Sequence, residues 1–189
     1  YDHSMDAIRY VINGIVKIDN GTIEFKEIKA DFDTDPNSPD GPRIALGGKL
    51  SVYDGVTAEG SVDLQCIRVP FDRNLAEAMP RGALSFCRAL REGGMFSLDL
   101  PGIVIERAPP EGSRVRWEGK LHVEKLPIGT AGPILTGDAE TAGSCSIGGG
   151  IGEAAVRLLN GRIRLSKRLL ENVCADIRYD PAAAKWTAE

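Results

Sequence analysis

The chain has 189 residues, 42% hydrophobic and 26% charged, enough for one domain or two small ones of ordinary globular composition. Its net charge of −4 is spread without a basic stripe, so neutralisation of a phosphate backbone has little to work with and nucleic acid is set aside as a partner. No apolar run approaches the roughly 20 residues of a bilayer-spanning helix, and the opening "YDHSMDAIRY" has neither the basic nor the apolar region of an export signal.

In chain order, the first signal is alternation. Val16 and Ile18, then Ile23 and Phe25, then Ile28, Ala30 and Phe32 stand between charged or small polar residues, and Asn20-Gly21 is a strong hairpin turn. The missed beat at Lys26 and Glu27 predicts a bulge. "RIALGGKLSV" places Ile44, Leu46, Leu50 and Val52 on one side, Asp54-Gly55 turns the chain, and "VTAEGSVDLQC" returns with Val56, Ala58, Val62 and Leu64. Residues 1–66 therefore read as an antiparallel meander.

Between these strands, "KADFDTDPNSPDGPR" (Lys29 to Arg43) begins like a calcium loop, with Asp31, Asp33 and Asp35 in alternation. An EF-hand needs glycine at its sixth position and a bidentate glutamate at its twelfth; here both places hold proline, Pro36 and Pro42. The stretch reads instead as the charged outer face of a strand, Asp31 and Asp33 outward and Phe32 inward, running into a proline-rich loop. A related order recurs later: Asn160-Gly161, Ile163, Ala175-Asp176 and Asp180-Pro181 echo Asn20-Gly21, Ile23, Ala30-Asp31 and Asp35-Pro36, with Arg178 where Asp33 stands. Such a degenerate repeat predicts an extended, repeating architecture, and the aspartate stretch marks a repeat boundary in it.

The rhythm changes over residues 67–94. Leu75, Ala76 and Met79, then Leu84, Phe86, Cys87 and Leu90, with Asp72 as N-cap and Gly93-Gly94 as stop, predict one or two short helices from Asp72 to Arg91, broken at Pro80. Strands resume over 95–189, with Phe96, Leu98 and Leu100, then Val115, Trp117, Leu121 and Val123, then Ile163 and Leu165, and finally Val173, Ala175, Ile177 and Tyr179. The whole reads as one continuous sheet with a helical insertion.

Residues with chemistry to offer are few. His3 falls near the terminus and His122 on the polar phase of "KLHVEK", so a surface histidine is preferred to a catalytic base. "GSCSIGGGIG" (Gly143 to Gly152) matches neither a nucleophile elbow nor a phosphate loop, and reads as a connection or a glycine-lined strand edge. Trp117, in phase with Val115 and Leu121, reads as core or groove lining; "KRLL" (Lys167 to Leu170) is a short basic step that could touch anionic headgroups, with an exposed loop the preferred reading. The cysteines Cys66, Cys87, Cys145 and Cys174 form no C-x-x-C pair, which argues against zinc; burial as small hydrophobes is the first reading and one or two disulfides the other. No catalytic residue, metal or cofactor is assigned.

A sheet of about ten strands is roughly 45 Å across, whereas a helix is about 10–12 Å wide. One short helical insertion cannot bury its apolar face. The rest must meet a second part of the sheet, another domain or an apolar ligand.

Three segments carry a resemblance: Gly14 to Phe25, "LGGKLSVYDGVTAEGSVDLQ" (Leu46 to Gln65), and Ile67 to Leu100 with Pro70, Phe71, Asp72, Leu75, Ala78, Met79, Pro80 and Gly94. In this order the chain resembles the AsmA-like proteins of bacterial envelopes, through strand rhythm and one insertion, from about Gly14 to Tyr179. The resemblance implies an extended, curved antiparallel sheet forming a β-groove, without enzymatic activity, that carries acyl chains in the periplasm for inter-membrane lipid transport or outer-membrane homeostasis. It also implies phospholipid or another acyl lipid and adjacent repeats of the same chain as partners. A chain that does not begin with methionine reads as a fragment, its membrane anchor expected elsewhere. The residues expected to line the groove or its core are Val16, Ile18, Ile23, Phe25, Leu50, Val52, Val62, Leu64, Ile163 and Leu165. The alternatives are a calcium-stabilised periplasmic or extracellular β-sandwich or β-solenoid binding module and, with least in its favour, a β-helix enzyme.

Overall fold

The computed structural model describes residues 11–31, 41–53, 57–71, 93–108, 112–128, 132–146, 151–183 and 185–188. They form one open ten-stranded sheet in which every strand pairs antiparallel with its sequence neighbour. The strands are β1 (Val11–Asp19), β2 (Thr22–Asp31), β3 (Arg43–Tyr53), β4 (Thr57–Pro70), β5 (Met95–Arg107), β6 (Ser113–Pro127), β7 (Ile134–Ser146), β8 (Ile151–Leu165), β9 (Arg168–Asp180) and β10 (Lys185–Ala188). Among the described residues there is no helix; the helical reading of Asp72 to Arg91 and the aspartate loop beyond Asp31 lie outside them.

Local chemistry explains the hairpins. Asn20 and Gly21 both take positive φ (44° and 76°), the conformation of a two-residue I′ turn that matches the twist of β1 and β2. At the far side Ser166 (φ 53°) opens the turn between β8 and β9. Near the same end of the sheet as Asn20-Gly21, the Ser113 hydroxyl both accepts from the Ala58 N–H (2.7 Å) and donates to the Ala58 carbonyl (2.9 Å). It thereby satisfies β4 backbone beyond the last rung with β5, Gly60↔Ile105.

The bulge expected at Lys26-Glu27 is present: Glu27 has φ 48° and the register slips between Phe25 and Ile28. It is one of a set. Arg68 in β4 (φ 47°), Lys125 in β6 (φ 53°) and Asn172 in β9 (φ 55°) do the same, so the inward side chain after Cys66 is Val69, after Val123 is Leu126 and after Leu170 is Val173. Pro101-Gly102 produces the equivalent step between Leu100 and Ile103. Amides freed at these steps are caught by the neighbouring strand: Arg68 N–H donates to Ser97 Oγ (3.0 Å), Lys125 N–H to Thr136 Oγ1 (3.0 Å) and Gly102 N–H to Asp63 Oδ1 (2.7 Å). A bulge bends its strand and increases its twist, and here six hydrogen-bonding groups are arranged to keep three of them.

Several expectations change. Residues 67–70, read with the insertion, are strand, because the Arg68 bulge carries β4 past Cys66 to pair Val69 with Phe96 and Pro70 with Met95. The excursion after Phe71 is pinched at its base, Phe71 N–H to the Gly94 carbonyl (3.2 Å) and Gly93 N–H to the Phe71 carbonyl (3.0 Å). Asn160-Gly161 is not a turn like Asn20-Gly21: it lies inside β8, where a register slip opposite Asp138 accommodates it, so the sequence echo does not repeat in structure at its first step. "GSCSIGGGIG" contributes the end of β7 and the start of β8. "KRLL" is the β8–β9 turn and the beginning of β9 rather than a loop. β7 and β10 are strands that the alternation of large apolar residues did not reveal.

Candidate functional site: the apolar face

In an antiparallel ladder directly opposed residues share a face, so the register alone assigns every side chain. One row crosses eight strands: Ala30, Ile44, Cys66, Leu98, Leu121, Ala139, Leu158 and Ala175. The residues one step along the same strands form the next row: Lys29, Ala45, Gln65, Asp99, Lys120, Glu140, Arg157 and Asp176. The first is apolar throughout and the second is mostly charged. Side chains one step apart point to opposite faces, so the sheet has an apolar side and a charged side along nearly its whole width.

The register puts the ten residues named for the groove or its core on the apolar side of the sheet. Ile18, Ile23 and Leu50 form one rung, Val16 opposes Phe25, and Val52 opposes Ala58. Val62 faces Gly48 and Leu64 faces Leu46; Ile163 sits between Leu135 and Leu170, and Leu165 is one rung further. Their depth differs greatly, from Val62 at 8% exposure to Ile18 at 74%. Phe71 folds over one end of this face, where Phe71, Val123 and Leu126 form a buried cluster flanked by Phe96, Leu121 and Leu135. Trp117 lies on the same face opposite Gly143, where an added Cβ would run into its ring: the indole occupies the space a side chain at Gly143 would take.

Sequence reasoning missed much of the deepest part: Ala139 and Ala154 because alanine at an inward position does not register as a hydrophobic beat, and Leu158 because the slip at Leu159-Asn160 breaks the alternation beside it. Two signals were available. Asp138 and Glu140 alternate with Gly137, Ala139 and Thr141, marking β7 by its outward residues. The bulges share a spacing, apolar-x-x-apolar, in Phe25-Lys-Glu-Ile28, Val123-Glu-Lys-Leu126 and Leu170-Glu-Asn-Val173, of which only the first was read.

The charged face is internally matched. Asp99, Lys120, Glu140, Arg157 and Asp176 alternate in sign across β5 to β9. Arg157 Nε donates to Asp176 Oδ1 at 2.9 Å, and this bond with the attraction behind it holds the guanidinium pKa above its ordinary value. Arg116 pairs with Glu106 nearby. Ser97, His122 and Asp138 stand side by side on β5, β6 and β7, with His122 Nδ1 2.6 Å from Asp138 Oδ1. They lie on this solvated face, and the Ser97 oxygen already accepts the Arg68 amide. His122 is thus on the polar phase, as expected. Shallow hollows on this side, one bounded by Arg116, Glu118, Ser144, Glu153 and Arg178, open among charges.

The thiols divide by face. Cys66 is buried on the apolar side, where burial pushes it up to about 11; Cys145, half-buried on that side, is raised for the same reason. Cys174 is exposed, its Sγ 3.2 Å from the Leu159 carbonyl. All three are free thiols; burial as a small hydrophobe holds for Cys66 and in part for Cys145, whereas Cys174 is neither buried nor in a disulfide. Among the described residues no group of three or more His, Cys, Asp or Glu side chains could hold a metal ion, and no helix is long and apolar enough to cross a membrane. Compared with protein-family models, curated proteins and solved structures, the chain matches none.

Proposed function

We propose that the sheet curves round its apolar face into a groove that holds the acyl chains of phospholipid or a similar lipid, as a segment of an AsmA-like envelope protein in the periplasm, continued on either side by further repeats. The observation that carries this reading is the uninterrupted apolar row from Ala30 to Ala175, backed by a charged row on the other side of the same strands. Aliphatic side chains such as Val16 and Ile18 remain more than half exposed on that face. Removing such surface from water is worth about 25 cal/mol per Å², and a hydrocarbon chain supplies an apolar cover without requiring hydrogen-bond partners. The bulges at Glu27, Arg68, Lys125 and Asn172 support curvature, since each bends its strand. The open edges of β1 and β10 support continuation by neighbouring repeats.

The test is native mass spectrometry and lipid extraction after purification without detergent. Phospholipid should accompany the wild-type protein, and Val52→Asp should lose it while keeping the strand signal in circular dichroism. Full retention by a folded Val52→Asp variant sinks the groove.

A further inference from the structure

We propose that the tip of the β8–β9 hairpin is a docking surface for an anionic phospholipid bilayer, with Leu165, Leu169 and Leu170 as an apolar wedge and Arg164, Lys167 and Arg168 as its charged rim. From the rung Ala155↔Arg178 to Ile163↔Leu170 the two sides of the β8–β9 pair keep their characters except at Leu159, the extra residue of the β8 slip, which is 45% exposed. In the last two rungs they do not. Arg164 opposes Leu169 on the charged face, and Leu165 opposes Arg168 on the apolar face, so each rung pairs one leucine with one cation. The three leucines are 41%, 53% and 46% exposed and stand on both sides of the hairpin. Ile134, beside Arg164 on β7, extends the apolar surface on the charged side.

A groove that uses one face has no need of Leu169 on the other. A wedge entering the interface between headgroups and acyl chains does, because there every side of the tip leaves water. The charge fits the same occupant. The run from Ala154 to Leu170 has no acidic residue, and residues 161–170 carry four cations, Arg162, Arg164, Lys167 and Arg168, in a chain of net charge −4. The next acid along the chain, Glu171, lies 3.7 Å from Arg162, and among the described residues Arg164, Lys167 and Arg168 form no ion pair. β10 covers only Ile177 to Asp180 of β9, so a second copy could pair along the rest of that edge. Edge pairing joins backbone to backbone and leaves side chains of both faces in water, so it would not cover the leucines.

The docking surface is separate from the acyl groove, and flotation of the full chain with vesicles distinguishes them. Binding is expected to vesicles containing about one third phosphatidylglycerol in phosphatidylcholine, and to be lost near 1 M salt, where the screening length is about 3 Å. Replacing Arg164, Lys167 and Arg168 by serine should weaken partitioning on the order of 100-fold, at about one kcal/mol per cation. Leu169→Ser, a surface change on the charged face, should weaken it about ten-fold. Val52→Asp should float like the wild type even where it has lost bound lipid. Equal flotation with pure phosphatidylcholine, unchanged flotation of both tip variants, or a vesicle-independent dimer abolished by Leu169→Ser overturns the proposal; the last outcome assigns the tip to a second copy.

Discussion

Leu100 in the middle of the sheet and Ile18 at its β1 edge occupy the same face, in strands with the same alternation, yet Leu100 is 8% exposed and Ile18 74%. The centre is shielded by neighbours on both sides and, at one end, by Phe71 folding back over β6. Towards β1 the neighbours among the described residues run out. Alternation therefore determines which way a side chain points, while its depth depends on what lies over and beside it. The centre behaves as a core and the edge as an unsatisfied surface.

The contrast breaks most sharply under truncation. Leu100→Ala should cost about 2–5 kcal/mol in denaturant unfolding, the usual range for deleting a buried leucine, whereas Ile18→Ala should stay within about 0.5 kcal/mol. Equal losses would mean that the β1 edge is covered in the folded protein. Cys66 sharpens the same point through pH. The buried thiol holds its proton more tightly in the folded state, so its contribution is complete below the unfolded pKa near 9 and is lost as pH rises through about 11. Between those values the wild type should lose about 2–3 kcal/mol relative to Cys66→Val, measured by urea unfolding across the range. A parallel pH dependence in the two proteins would remove Cys66 from the core. The smallest effect belongs to the charged face. Arg157→Glu places like charges beside Glu140 and Asp176 and should lower Tm by about 2–4 °C, with much of the loss restored by adding Asp176→Arg. No change in either protein would leave the alternating row without a role in stability.

The edge also shows how far the candidate surface was legible. Val16, Ile18, Ile23 and Phe25 were readable because large aliphatic or aromatic residues alternate with charges around an Asn-Gly turn whose backbone preference is strong and local. Ala139 and Ala154 were not, although they are among the most buried, because a small side chain is apolar by virtue of where it sits, and Leu158 was not because the β8 register slip interrupts the alternation next to it. Asn160-Gly161 misled for a related reason. The dipeptide favours a turn, but within β8 it is held by ladders to β7 and β9 on both sides, and many cooperative hydrogen bonds outweigh one local preference.

By itself the sequence determined the mainly β class of the fold, the orientation of its longest apolar runs and the first hairpin, since period-two alternation and positive-φ turn residues act over a few residues. The tertiary structure decided the strands β7 and β10, the common bulge at Arg68, Lys125 and Asn172, the alignment of eight strands into one apolar and one charged row, and the leucines exposed on both sides of the β8–β9 tip. These depend on register between strands, which single-strand periodicity leaves open: shifting a partner by one residue exchanges its two faces while its own sequence pattern stays the same.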